Sequence, residues 1–232
     1  MDIMAMLPTY NEAENIKQAI DEILNCGLDI EVLVVDDMSP DGTYKIVEEI
    51  SKNNPKVHLL LRKEQRGRGY AGIEGFKKAL ALGAQNVLEM DADGSHSPKY
   101  IPILRNALKN YDAAIGSRYI YGGKDEARTL LRRAISAFSR RYLAFIIGTK
   151  IKDPTSGFRM FKKEALEKFV HKLKSSDPFI VAEVVYYLKK YDCSVAECPI
   201  EFMPRIAGKS KLRPATLIKY LFKALKLRIV NL

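Results

Sequence analysis

The sequence predicts an α/β domain built on a mainly parallel, doubly wound sheet, and three observations support this class. Short apolar runs alternate with amphipathic helical stretches along the first half of the chain. The 232 residues, 47% of them hydrophobic, suffice for one such domain with a sizeable core. Polar and acidic side chains directly follow several of the apolar runs, and ligands bind at those strand ends in sheets of this class.

Strands are predicted where a short run is mainly apolar, and helices where apolar residues recur at helical spacing. The predicted strands cover residues 3–7, 31–35, 57–61, 87–90, 112–115 and 195–203. The predicted helices cover residues 13–24, 43–53, 70–82, 127–147 and 179–190, with one more after Pro98. A basic loop, residues 205–211, then leads into a C-terminal amphipathic helix of the interfacial type. We therefore expect residues 1–212 to form the main domain and residues 213–232 a terminal helix that associates with a membrane or packs on the sheet.

The charge balance predicts an anionic partner. The formal net charge is +10, with 38 lysines and arginines, which suits phosphates, an anionic membrane surface or nucleic acid. The basic residues lack interleaved aromatic side chains, so nucleic acid is not the expected partner. The three cysteines lack zinc-site spacing and indicate a reduced compartment. With neither a signal peptide nor a spanning segment in the sequence, we expect a cytoplasmic protein with at most peripheral membrane contact.

Two carboxylates, Asp91 and Asp93, follow the apolar run of residues 87–90. In extended geometry their side chains point to one side, where they could bind a hard cation such as Mg²⁺ together with substrate phosphates. The same residues also suit a strand-ending turn with an acidic cap on the next helix. From these residues alone, both interpretations stay open.

Two other strand ends and one glycine-rich loop belong to the same predicted crevice. Residues 8–12 and 36–41 follow the first two strands. The loop of residues 67–72 reads GxGxxG, but it follows the third strand and not the first, which argues against a nicotinamide site. Arg66 and Arg68 in this region either lie near a ligand phosphate or are solvated charges of a loop that begins a helix.

Six short segments carry a resemblance to a known family. They read P-T-Y-N-E, V-D-D-M-S-P-D-G-T, D-A-D, G-S-R, D-P-T-S-G-F-R and R-…-S-K-L, in this order from residue 8 to residue 212. Together they resemble the dolichol-phosphate mannose synthase branch of the inverting family 2 glycosyltransferases, in its short form without membrane spans. The resemblance implies an A-type, Rossmann-like glycosyltransferase fold over residues 1–212. It also implies a nucleotide-sugar donor, Mg²⁺ or Mn²⁺, and a polyprenyl or dolichyl phosphate acceptor.

The same resemblance assigns roles to individual residues. Metal binding falls to Asp91 and Asp93, with Asp93 the closer ligand, and these two acids with Arg118 form the catalytic set. Further donor-binding residues are implied at strand ends and in the basic loop: Pro8, Tyr10, Glu12, Asp37, Arg205 and Lys211. The acceptor phosphate is assigned to Arg118, Arg132 and Ser136, with Arg133 as the substitute if the helix register differs by one.

Departures from the family pattern leave the sugar open. Gly94 and Ser95 differ from residues common after the two acids, and residues 177–182 lack the usual sequence near the donor sugar. Mannose from GDP-mannose is the first expectation, and glucose or another hexose from a UDP donor is the alternative. A related transferase with a soluble acceptor, or a non-catalytic nucleotide-sugar-binding or membrane-adaptor protein, are the other hypotheses.

Overall fold

A computed structural model describes residues 1–125, 130–204 and 214–230, with side chains described for residues 1–125, 137–204 and 220–229. Seven strands form one sheet in the order β3-β2-β1-β4-β7-β5-β8, and two short strands, β6 and β9, pair separately. The strands are β1 Ile3–Thr9, β2 Ile30–Asp36, β3 Val57–Leu61, β4 Asn86–Glu89, β5 Ala113–Ser117, β6 Lys124–Asp125, β7 Arg159–Lys162, β8 Val195–Pro199 and β9 Glu201–Phe202. Every neighbouring pair in the large sheet is parallel except those that involve β7. The predicted mainly parallel sheet is confirmed.

Helices cover both faces of this sheet, as the doubly wound prediction requires. They are α1 Ile16–Leu24, α2 Thr43–Asn53, α3 Arg68–Ala81, α4 Ile101–Ala107, α5 Leu130–Ile147, α6 Lys163–Glu167, α7 Ile180–Lys190 and α8 Pro214–Val230. Successive residues of β1 point to opposite faces. Met4 and Met6 pack with side chains of α3 and α7, whereas Ile3 and Leu7 pack with side chains of α1, α2 and α4.

The C-terminal half departs from the predicted strands in two places. No strand is predicted from the sequence over residues 159–162, yet β7 lies antiparallel between β4 and β5. The single strand predicted over residues 195–203 is divided into β8 and β9, which belong to different sheets. The division falls at Ile200, whose N–H donates to Ser117 while its carbonyl accepts from Lys124 of β6. Because Pro199 has no N–H, the chain leaves the ladder there at little cost.

The terminal helix α8 packs against α5 and α7. Ala224 is buried in a cluster with side chains of both helices, and the Tyr220 ring lies edge-on to Phe179. Lys223 forms an ion pair with Asp177. The opposite side of α8 remains exposed, including Phe222. No helix in the part of the chain that the structure describes is both long and apolar enough to cross a membrane.

Candidate active site

The predicted crevice lies at the carboxyl ends of the adjacent strands β2, β1 and β4. Pro8 lies near the end of β1, with Tyr10 just beyond it and 39% exposed. Asp37 directly follows β2, and Asp91 follows β4 after one further residue. The strand order therefore brings together the three loops that the sequence analysis assigned to one site.

The loops after β1 and β2 are held together by hydrogen bonds. Three successive backbone N–H groups, those of residues 11–13, donate to the side chains of Ser39, Thr43 and Asp41. The donor–acceptor distances are 2.9–3.0 Å. The Glu12 carboxylate also accepts from an amide side chain three residues later, at 2.9 Å. Glu12 is thus oriented by its own helix start, in a loop whose backbone is fixed by the second strand end.

Asp37 is buried and has a partner on each carboxylate oxygen. One oxygen is paired with Arg62, and the other accepts the Gly67 N–H at 2.7 Å. Arg62 is itself held by Glu74, at 3.1 Å from Nε. No role is predicted for Arg62 from the sequence, because this residue follows β3 and reaches Asp37 only in the folded sheet. Each carboxylate oxygen has a second lone pair, so Asp37 still has capacity to accept a ligand donor.

Asp91 and Asp93 are two residues apart in the sequence but lie in different surroundings. Asp93 is buried, and its Oδ1 accepts from both the backbone N–H and the hydroxyl of Ser95. The Asp91 side chain is 36% exposed, and its backbone N–H donates to Nδ1 of His96 at 3.1 Å. Gly157 lies next to His96 and Asp91, since a Cβ there would be 3.6 Å from His96 and 3.7 Å from Asp91.

His96 had no assigned role in the sequence analysis, and the structure buries it in the centre of the site. Its ring stacks on Phe158 with centroids 5.1 Å apart. Burial lowers the pKa of His96, and although the charges of both Asp91 and Asp93 act to raise it, burial outweighs them. His96 is therefore a neutral ring whose Nδ1 fixes the backbone of Asp91.

Asp91 and Asp93 fit a hard divalent cation by their chemistry. Within the described residues there is no group of three or more acidic, histidine or cysteine side chains arranged around a metal position. Two carboxylates that leave the remaining coordination positions to water and substrate phosphates are typical of Mg²⁺ sites. Of Asp91, Asp93 and His96, the two acids offer the oxygen ligands that such a cation prefers.

Arg118 follows β5 and is bound to Asp153. Its backbone N–H, Nε and Nη2 all donate to the Asp153 carboxylate, at 2.8–3.2 Å, and Nη2 also lies 3.0 Å from the Thr155 hydroxyl. The guanidinium lies 5.0 Å from the ring centroid of Phe202. Burial alone would raise the pKa of the Asp153 carboxyl, but the hydrogen bonds and charge of Arg118 lower it below its usual range. Arg118 thus has a fixed orientation and two of its nitrogens facing a carboxylate.

The glycine-rich loop serves packing and a buried charge cluster. A Cβ at Gly69 would lie 2.0 Å from the Ser175 carbonyl oxygen, so the glycine allows backbone segments to touch. Arg66 is exposed, which agrees with one of the two interpretations given above. For Arg68 the solvated interpretation is wrong: its Nη2 lies 2.8 Å from Glu89, a fully buried carboxylate in the centre of the sheet.

Several residues assigned from the sequence lie outside the described part of the chain. The backbone of α5 includes Arg132, Arg133 and Ser136, but their side chains are not among those described. Arg205 and Lys211 fall in residues 205–213, which are not described. Their assignments to the acceptor phosphate and to the donor loop therefore stay predictions.

The chain matches a protein family and several known enzymes over most of its length. Residues 5–170 match the family described as glycosyl transferase family 2. The polyprenol monophosphomannose synthase of Mycolicibacterium smegmatis is 34% identical over 95% of this chain and 84% of its own length. The dolichol-phosphate mannosyltransferase of Pyrococcus furiosus is 38% identical over 95% of this chain, which spans 62% of that relative.

A solved structure shows the same fold at low identity. Glucosyl-3-phosphoglycerate synthase from Mycobacterium tuberculosis, in complex with Mn²⁺, UDP-glucose and phosphoglyceric acid, superposes with a TM-score of 0.67. The match is 19% identical and covers 98% of this chain and 79% of that one. The expected A-type glycosyltransferase fold is confirmed, and by sequence the chain belongs to glycosyl transferase family 2.

Proposed function

We propose that this protein transfers a hexose, mannose in the first instance, from a nucleotide-diphosphate donor to a polyprenyl phosphate with inversion at the anomeric carbon. The observation that carries the proposal is the agreement of its relatives. Those at 34% and 38% identity are both named as enzymes that join mannose to a polyprenol-type phosphate. The phosphoglycerate-linked enzyme with the same fold is only 19% identical, so its soluble acceptor carries less weight.

On the donor side, Pro8, Tyr10, Glu12 and Asp37 form the nucleoside pocket. Asp37 accepts from an N–H of the base, which both guanine and uracil offer, and Glu12 accepts from a ribose hydroxyl. Both carboxylates are already oriented, Asp37 by Arg62 and Glu12 by its neighbouring amide. A pocket with fixed acceptors favours a base that presents a matching donor.

Asp91 and Asp93 hold the divalent cation, Mg²⁺ or Mn²⁺, in this proposal. When bound, such a cation neutralises charge on the leaving nucleotide diphosphate. The Ser95 hydroxyl orients Asp93, and His96 fixes the backbone of Asp91. Arg205 and Lys211 are further donor-binding residues in this proposal.

The acceptor phosphate is bound by Arg118, Arg132 and Ser136. A phosphate monoester with a second pKa near ~6 is already an anion at neutral pH, so the reaction requires no strong general base. Buried His96, whose pKa is lowered, is consistent with a positioning role. The site must bring two anions, the acceptor phosphate and the donor diphosphate, close together. Guanidinium groups suit this task because each can bind two phosphate oxygens at once. Attack in line with the leaving diphosphate gives inversion.

A membrane surface supplies the lipid acceptor, and α8 is the proposed contact. Phe222 and Ile229 of this helix are 69% and 62% exposed, beside the exposed lysine Lys226. Phe145 of the neighbouring α5 is 76% exposed. Apolar insertion together with basic side chains gives reversible attachment to an anionic surface. In this proposal, residues 1–212 are the catalytic domain and residues 213–232 attach it to the cytoplasmic face of a membrane.

A transfer assay tests the proposal. Purified protein is incubated with Mn²⁺ or Mg²⁺, with either a short polyprenyl phosphate or phosphoglyceric acid as the acceptor, and with either GDP-mannose or UDP-glucose as the donor. We expect mannosyl lipid of inverted configuration, and we expect Asp93→Asn to lose at least about a hundredfold in turnover because the cation loses a ligand. Asp21→Asn, the same change on the exposed face of α1, is the matched control.

Three outcomes separate the alternatives. Wild-type turnover by Asp93→Asn, or a product that retains the donor configuration, contradicts the mechanism. A preference for UDP-glucose favours the second donor, in line with the unusual residues 177–182. Transfer to phosphoglyceric acid but not to the lipid favours a soluble acceptor.

A further inference from the structure

Arg68 connects the proposed cation site to the centre of the sheet. Its Nη2 lies 2.8 Å from Oε1 of Glu89 and 3.6 Å from Oδ1 of Asp91. An arginine guanidinium is not deprotonated in proteins. A permanent positive charge therefore stands next to an acid that the proposed function uses to bind a cation.

Arg68 is anchored so that it cannot move far from Asp91. Glu89 is fully buried and is held from its other oxygen by Arg159, at 3.0 Å from Nε. Arg159 in turn donates from Nη1 to the carbonyl of Val181 at 2.9 Å. At its backbone, Arg68 is flanked by Gly67 and Gly69, which contact the 174–177 segment directly. Both ends of the side chain are fixed.

The cluster is not fully satisfied as an internal ion pair. Among the described residues, Nη1 of Arg68 is buried and lacks a hydrogen-bond partner. It faces Gly72, where a Cβ would lie 3.4 Å from this nitrogen and 3.1 Å from Ile180. A buried donor without an acceptor reduces stability. The ion pair with Glu89 therefore satisfies only part of the Arg68 guanidinium.

We propose that Arg68 is a positioning residue that holds Asp91 and, as a fixed positive charge beside it, keeps the affinity of the donor-free enzyme for a divalent cation low. The cation then binds together with the donor, whose diphosphate adds the negative charge that Arg68 offsets. This inference rests on the proposed function, because it takes Asp91 and Asp93 as the cation ligands. It adds an order to binding that the pair of acids alone does not require.

The expected size follows from Coulomb's law. A doubly charged ion roughly 5 Å from a guanidinium, even at the dielectric constant of water, is repelled enough to lower its affinity about tenfold. Binding free energies are reciprocal, so the nucleotide must raise Mn²⁺ affinity by the same factor that Mn²⁺ raises nucleotide affinity. Because the repulsion from Arg68 acts on the cation with and without nucleotide, removal of the charge at position 68 should raise Mn²⁺ affinity in both states and leave this coupling largely unchanged.

Manganese binding measured by electron paramagnetic resonance tests the inference without any turnover. Mn²⁺ is titrated into the protein alone and into the protein with GDP or UDP, whichever nucleotide the transfer assay selects. Arg68→Gln keeps a donor for Glu89 and removes the charge, and Arg68→Met keeps the aliphatic length. Arg68→Lys keeps the charge. Arg66→Gln removes an exposed charge from the same loop and is the matched control.

We expect the two neutral variants to bind Mn²⁺ about tenfold more tightly without nucleotide, while Arg68→Lys and Arg66→Gln resemble the wild type. Two neutral variants of different shape separate the charge effect from a loss of folding, which thermal denaturation monitors. Wild-type Mn²⁺ affinity in folded Arg68→Gln or Arg68→Met overturns the inference alone. A loss of metal-free nucleotide affinity in Arg68→Gln also overturns it, because Arg68 would then bind the diphosphate directly. A wild-type protein that binds no Mn²⁺ with either nucleotide overturns the proposed function as well.

Discussion

Asp153→Asn should destabilise the protein more than its single lost charge suggests. The Asp153 side chain is fully buried, and the side chain of its partner Arg118 is only 4% exposed. Three hydrogen bonds join the backbone N–H and side chain of Arg118 to this carboxylate. Asparagine fills the same space but leaves the guanidinium charge buried and uncompensated. Breaking one side of a buried ion pair costs about 3–5 kcal/mol of the free energy of unfolding, and we expect a loss in this range.

Urea denaturation followed by circular dichroism at pH 7 gives the number. Asp21→Asn is the control, because its ion pair with Lys17 is exposed, with side chains 52% and 71% accessible, and such pairs contribute little. The pH dependence offers a second check. Arg118 lowers the folded-state pKa of Asp153, so its contribution to stability is complete above the unfolded pKa of about 3.9 and is lost as pH falls through the folded value.

The difference in unfolding free energy between wild type and Asp153→Asn should therefore be constant from pH 7 to about pH 5 and should shrink at lower pH. A loss below about 1 kcal/mol at pH 7 would refute the reasoning, because it would mean that Arg118 is solvated or paired elsewhere. A difference that grows as the solution is acidified would refute the assigned direction of the pKa shift.

Two further changes test packing and membrane contact. Gly69→Ala should cost about 1–3 kcal/mol in urea denaturation, because its Cβ would lie 2.0 Å from the backbone oxygen of Ser175, and unchanged stability would contradict that contact. The double variant Phe222→Ser with Ile229→Ser should sediment less with anionic liposomes while its thermal unfolding stays the same, since both side chains are exposed. Ile103→Ser, at an exposed position of α4, is the control. Full sedimentation of the double variant would exclude α8 as the membrane contact.

The first half of the fold could be predicted because each strand there lies in a mainly apolar run. Residues 30–36 are buried along nearly their full length, so periodicity alone identifies β2. The antiparallel strand Arg159–Lys162 has a charged residue at each end and is only four residues long. Its position between β4 and β5 depends on tertiary pairing, because the buried Arg159 is stable there only with Glu89 opposite it. No local pattern carries that information.

The candidate site shows the same division. Acids that directly follow strands could be located, since the ends of parallel strands meet at one edge. Their partners could not: Arg62 reaches Asp37 across 25 positions in the sequence, and Arg68 reaches Glu89 across 21. His96 lay within a segment already singled out, but only the folded structure shows that it stacks on Phe158 and is buried, which lowers its pKa. The fold decides which of the many arginines reach the acids near the strand ends.

The segment of residues 153–159 links the two halves of the proposed reaction. Asp153 holds Arg118, which we propose for the acceptor phosphate, and Arg159 holds Glu89, which anchors Arg68 beside the proposed cation ligand Asp91. Gly157, between them, lies against Asp91, so a larger side chain there would enter the space around the proposed cation ligand. This segment thus helps to position Arg118 and Arg68, the arginines that lie at the two proposed binding sites. Since the two anions must approach each other within a few ångströms, a rigid link between their binding groups lowers the entropic cost of that approach.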